Sequence, residues 1–119
     1  MVIELIAILE EVTGLKAYPL HTDSTEDCIV YKANVLADDG AKARHRLEIR
    51  LITHTIAEAE RLKPLINNAL VNVGDSIKVE NILEGNMNGG GTLYDYGTET
   101  VHSLLYFEYL IKSGVQIND

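Results

Sequence analysis

Arg46-Leu47-Glu48-Ile49-Arg50-Leu51 alternates charged and aliphatic side chains without a break. A period of two places Leu47, Ile49 and Leu51 on one side of an extended chain and Arg46, Glu48 and Arg50 on the other. That is the pattern of a strand with one buried and one wet face. The strand extends over residues 43–53. Upstream, residues 28–36 are β-branched and aromatic, with Ile29, Tyr31, Ala33 and Val35 alternating against Lys32 and Asn34. Between the two lies Asp38-Asp39-Gly40, a turn signal of the Asp-Gly kind, so the pair reads as a β-hairpin with its tip at residues 37–42.

Helices flank the hairpin. Val2, Leu5, Ile6, Leu9 and Val12 form one helical stripe over residues 2–13, ended by Gly14. Residues 15–27 are a connection with loop chemistry from Pro19 through His21 to Asp27, and Ala17 to Leu20 form a short extended piece. Thr55-Ile56-Ala57-Glu58 is a capping box. The stripe Ile56, Ala59, Leu62, Ile66, Ala69, Leu70 and Val73 carries a second helix to Gly74. Pro64 inside it predicts a bend near residues 60–64 or two short helices in series.

Residues 76–84 read as a strand, and Gly85 to Gly91 as a flexible hairpin loop. Residues 101–112 are the last strand. Val101, Leu105, Phe107, Tyr109 and Ile111 lie on one face, with Leu104, Tyr106 and Leu110 on the other. Apolar residues on both sides predict a central strand buried twice over. Residues 113–119 are a polar tail. The expected fold is one α+β domain spanning 1–119, in the order α-β-β-α-β-β. Its sheet is mostly antiparallel and four-stranded, with the helices packed on one face.

The chain has 119 residues, a formal net charge of −8 and 46% apolar residues. A core is within reach at this length and general disorder is excluded. The acidic balance disfavours sequence-independent binding to nucleic acid or to an anionic membrane. Lys42, Arg44, Arg46 and Arg50 make the one basic cluster, which reads most simply as a solvated strand face balanced by carboxylates. Cys28 is the only cysteine, so no intrachain disulfide forms, and its apolar neighbours make it a small core residue. Glu4, Glu10 and Glu11 interrupt the first apolar segment and no basic residue leads it, unlike a signal peptide. Cytosolic synthesis and no membrane span are expected.

Chemistry-bearing patterns are sparse. His21, His45, His54 and His102 are scattered, without zinc-ligand spacing. No nucleophile elbow occurs, and Cys28 sits in a strand pattern rather than at a helix N-terminus. Gly89-Gly90-Gly91 is followed by Thr92-Leu93-Tyr94, which satisfies neither the phosphate-loop nor the dinucleotide pattern. No catalytic, cofactor or metal site is expected. The exposed candidates for contact with partners are Asp38, Asp39, Lys42 and Arg44 at the hairpin tip, and Asn88, Gly89, Gly90, Gly91, Tyr94, Asp95 and Tyr96 in the glycine-rich segment.

Leu15-Lys16-Ala17-Tyr18-Pro19-Leu20 followed by Asp27-Cys28-Ile29-Val30-Tyr31 resembles the opening of phage tail terminator proteins, also called tail completion proteins. The pairing of Arg46–Leu51 with the helix of residues 55–73, and the glycine-rich segment leading into a long last strand over 89–112, are similar to the same layout. The resemblance implies a small α+β subunit forming a hexameric ring. That ring ends the tail tube, docks it to the head-tail connector, binds no cofactor and lets DNA pass through its centre. It implies assembly in the host cytoplasm and residence in the virion. Other neck, head-completion and minor capsid subunits share this size and character. Two further classes stay open: a small-molecule-binding or regulatory domain using Tyr94, Tyr96 and His102, and an enzyme.

Overall fold

The computed structural model describes residues 2–71 and 82–112. Its elements run α1 (Val2–Thr13), β1 (Lys16–Pro19), β2 (Cys28–Asp38), β3 (Lys42–Thr53), α2 (Ile56–Val71), β4 (Ile82–Asp95) and β5 (Thr100–Lys112). Residues 76–81 of the strand predicted at 76–84, the end of the second helix at 72–74 and the polar tail at 113–119 lie outside the described residues, and residues 82–84 open β4.

The strands form one five-stranded sheet in the order β1-β2-β3-β5-β4. It is mixed rather than four-stranded. The short extended piece predicted at Ala17–Leu20 is an edge strand parallel to β2, with Lys16 beside Cys28 and Pro19 beside Tyr31. An edge is where a strand tolerates proline, since no ladder donor is needed on the open side. Glu10 helps to place this strand, because its carboxylate accepts the Ala17 N–H at 2.9 Å. The other three pairings are antiparallel, and the β2–β3 tip falls where the Asp-Gly signal put it. Asp39 accepts the Lys42 and Ala41 N–H groups there, which holds its carboxyl below the usual range.

Both helices cover one face of the sheet. Leu5, Ile6 and Leu9 of α1 and Leu62, Ile66 and Leu70 of α2 close over Ile29, Leu47, Ile49, Leu51, Leu105, Phe107, Tyr109 and Ile111. Burying each such aliphatic or aromatic side chain contributes about 1.5–3 kcal/mol. Tyr109 adds a directional tie: its buried hydroxyl donates to the Leu70 carbonyl at 2.9 Å, and burial raises its pKa far above the ordinary tyrosine value. The first stripe is corrected at its end, where Thr13 is buried and bonds back to the Leu9 carbonyl while Val12 is 37% exposed. Gly14 stops the helix at φ +72° with its N–H on the Glu10 carbonyl, a left-handed cap.

Three further expectations are corrected. Pro64 neither splits nor ends the second helix, which runs through it from Ile56 to Val71. Pro64 and Glu60, whose carbonyl loses its partner, are both exposed residues, on the side of the helix where water can replace a lost hydrogen bond. The capping box is half formed: Thr55 Oγ1 accepts the Glu58 N–H at 3.1 Å, but Arg61 takes the Glu58 carboxylate. Ile56, predicted in the buried stripe, is 66% exposed at the helix start.

The largest correction is the glycine-rich segment. It is not a hairpin loop but the middle of β4, a 14-residue edge strand paired along β5, with register shifts between Ile82 and Glu84 and between Met87 and Gly90. The glycines are needed by closeness rather than for mobility. A Cβ on Gly90 would stand 2.3 Å from the Leu104 carbonyl oxygen, whereas one on Gly91 meets nothing within 4 Å.

Two substitutions test these points. Gly90→Ala is expected to cost about 2–4 kcal/mol of unfolding free energy, and Gly91→Ala to stay within about 1 kcal/mol, both read from the denaturant midpoint. Pro64→Ala is expected to raise stability by about 1–3 kcal/mol, since the helix is already continuous.

Candidate assembly face

The second face of the sheet has no helix over it among the described residues. Along β5 the side chains turned away from the core, Leu104, Tyr106, Glu108 and Leu110, are half-buried rather than buried, which corrects the expectation of a strand covered on both sides. The neighbouring strands carry this face outward through Val30, Lys32 and Asn34 of β2, and Arg44, Arg46, Glu48, Arg50 and Ile52 of β3. Glu84 and Asn86 add to it from β4.

Charge is unevenly divided between this face and the rest of the chain. The pairing register puts seven of the ten Lys and Arg residues on it (Lys16, Lys32, Lys42, Arg44, Arg46, Arg50 and Lys112) with four of the eighteen acidic residues, Glu48, Glu84, Asp95 and Glu108. The face is therefore positive on a chain of net charge −8. The basic cluster seen in the sequence is real and larger than four residues.

Carboxylates organise these cations. Glu108 lies 3.6 Å from Arg44 and 3.5 Å from Arg46, and it accepts a hydrogen bond from the Asn88 side chain. That bond, with Arg46 and Arg44 behind it, holds the Glu108 carboxyl below the usual range. Glu48 lies 3.7 Å from Lys32 and accepts from Asn34 at 2.9 Å. The Arg46 guanidinium stands 5.8 Å from the Tyr106 ring centroid, a cation–π contact. Such partly exposed pairs contribute little individually. Together they fix the direction of long side chains over the apolar Leu104, Leu110 and Val30.

At one end the face deepens into a groove of about 340 Å³ lined by Leu20, Val30, Lys32, Arg50, His102 and Tyr106. A second hollow of about 440 Å³ lies on the far side of His102, between the 22–26 loop, His54 and the Asp95 turn. His102 Nδ1 is 3.1 Å from Arg50 Nη1 and its Nε2 is 2.9 Å from Thr100 Oγ1. Burial first, and then the Arg50 charge, lower its pKa, so the ring is neutral at pH 7. The arginine can only donate, which assigns Nδ1 as acceptor and Nε2–H as donor to Thr100. The chain of hydroxyls continues through Thr98 to Asp95, whose carboxyl is held low by the Thr98 hydroxyl and the Gly97 N–H.

The sequence candidates separate into two groups. Arg44 and Asn88 meet on Glu108, and Asp38, Asp39 and Lys42 occupy the exposed tip beyond them. Tyr94, Asp95 and Tyr96 belong to the opposite end, because the β3–β5 register runs from Lys42 beside Lys112 to Thr53 beside Val101. At ~3.4 Å per residue the two ends are about 37 Å apart. Tyr94 and Tyr96 stack edge to face at 4.8 Å, and Tyr96 is 85% exposed. Gly89, Gly90 and Gly91 lie along the β4 edge between the two groups. Reading the sequence missed Glu108, Glu48, Lys32 and Lys112 as members of the face. The period-two position of Glu108 opposite the core residues of β5 was the available signal.

The remaining histidines do not converge. His54 is tied to Asp27 through its ring and its backbone N–H, His21 lies 3.9 Å from Asp23, and His45 is buried with Nδ1 unpartnered. Among the described residues no group of three or more His, Cys, Asp or Glu could hold a metal ion, and no helix is long and apolar enough to cross a membrane. Cys28 is buried, and desolvation raises its thiol pKa.

No family model and no curated protein matches the chain. Among solved structures, the fold is similar to that of a chain from the virion of a native gene transfer agent particle, with a TM-score of 0.67 and 17% sequence identity. The match covers 90% of this chain and 86% of that one. At this identity the likeness is one of fold.

His45 and His102 both have lowered pKa values, with burial as the first cause. The folded state keeps them neutral, while the unfolded chain takes up protons below pH ~6.5. The unfolded state then binds more protons, so stability is lost as pH falls from 7 towards 5. The melting temperature is expected to drop over that interval, and to drop less in His45→Val and in His102→Gln.

Proposed function

We propose that this chain is a structural subunit of a virion, and specifically a ring-forming protein of the tail terminator kind that caps a tail tube and joins it to the head-tail connector. The observation that carries the reading is the fold likeness to a virion chain over nearly the full length of both. Two features support it. Among the described residues, a whole sheet face, charged and partly apolar, is left uncovered by the helices. The overall charge of −8 suits a ring through which DNA passes, since like charge keeps DNA from adhering. In this reading the chain takes no cofactor and turns over no substrate. Its partners are further copies of itself, the tube protein and the connector, and its place is the host cytoplasm during assembly and then the virion. Another neck or head-completion position is the nearest variant, distinguished by which partner the ring binds.

A small-molecule-binding reading is favoured by one observation, the meeting of two hollows at His102. Tyr94 and Tyr96, its other expected contacts, line neither hollow.

Native mass spectrometry across a wide concentration range, with and without Mg²⁺, tests the proposal. A discrete closed ring is expected, a hexamer if the tail-terminator reading holds. A monomer at every concentration, together with a specific metabolite that raises the melting temperature, would overturn it in favour of the ligand-binding reading.

A further inference from the structure

Taking self-assembly from the reading above as the premise, we infer that the open sheet face of one copy receives the outer surface of α1 from the next copy, in a head-to-tail contact. The face is positive on a strongly acidic chain, so the occupant it selects is acidic and partly apolar. α1 has both properties, and an amino-terminal charge bonded to Glu4 offsets only one of its glutamates. Its sequence, VIELIAILEEVT, contains three glutamates and no Lys or Arg. Away from the core it exposes Ile3, Ala7 and Val12 beside Glu4 and Glu11. α2 is a poorer match because Arg61 and Lys63 sit among its acidic residues.

Size agrees with charge. Twelve residues of helix span about 18 Å, close to the ~20 Å from Leu104 to Leu110 along β5. A helix about 18 Å long and 10–12 Å across covers on the order of 200 Å², so α1 is the centre of the contact and surface beside it on the same copy completes it. Leu104, Tyr106 and Leu110 would meet Ile3, Ala7 and Val12, with Arg44, Arg46 and Arg50 around them to meet Glu4 and Glu11. The two surfaces differ, so the contact is heterologous, and repetition closes a ring or extends a filament. A face-to-face dimer would instead set two positive surfaces against each other.

The test uses two charge-reversed variants of the full chain, Lys32→Glu/Arg50→Glu on the sheet face and Glu4→Lys/Glu11→Lys on α1, each checked for folding by circular dichroism and melting. Each variant alone is expected to remain monomeric where wild type assembles. A one-to-one mixture is expected to assemble again, with the two variants alternating, because the reversed face and the reversed helix complement each other as the intact pair does. Should a reversal prevent folding, Arg50→Gln and Glu11→Gln are expected to weaken assembly about tenfold each. Rings formed by the α1 variant alone, or a mixture that stays monomeric, would overturn the inference while leaving ring assembly in place. Wild type that never self-associates would overturn both. Loss of retention on immobilised double-stranded DNA by the sheet-face variant, with assembly unchanged, would identify a polyanion as the occupant and also overturn the inference.

Discussion

Twelve consecutive residue pairs join β3 to β5, and the rest of the molecule is arranged by that antiparallel ladder. It sets Leu47 beside Phe107, Ile49 beside Leu105 and Arg46 beside Glu108. Because side chains alternate with a period of two, one register decides both surfaces at once. A slip of one residue would send either Phe107 and Tyr109 of β5 to the open face or Arg44 and Arg46 of β3 under the helices. The helices can cover only the apolar side, and Tyr109 anchors α2 there through the Leu70 carbonyl. The charged side is left open by the same arithmetic.

That open side concentrates most of the cations of a chain that is acidic elsewhere. Segregation of this kind is compatible with solubility, since the net charge stays far from zero. It also creates two surfaces of opposite sign on one small body. The side chains are already oriented by Glu48 and Glu108, which lowers the ordering cost of any contact they make.

Much of the fold was legible in the residues. The Asp38-Asp39-Gly40 turn, the alternation of 46–51, the stripe from Leu5 to Leu9 and the stop at Gly14 each follow from local chemistry acting over a few residues. Three elements were not. Lys16–Pro19 is too short to show a period, and its strand character comes from pairing with β2. Gly85 to Gly91 has the composition of a loop, and it is a strand because β5 supplies the partner and the close approach to Leu104 excludes any side chain at Gly90. Pro64 signals a break by its missing N–H, but packing of Leu62 and Ile66 on the sheet outweighs one lost hydrogen bond. The site followed the same division. Arg44 and Asn88 could each be picked as exposed polar residues, but that they share Glu108 could not, since those three positions are brought together by strand order alone.

The sequence by itself determined the α+β class, the hairpin, the two helices and the acidic balance, because periodicity, turn chemistry and charge are local or additive properties. Tertiary structure decided the rest: which strand is central, that the glycine run is an edge strand, and that seven cations share one face. Those facts depend on non-local pairing, and a single register between β3 and β5 converts scattered positions in the chain into one surface.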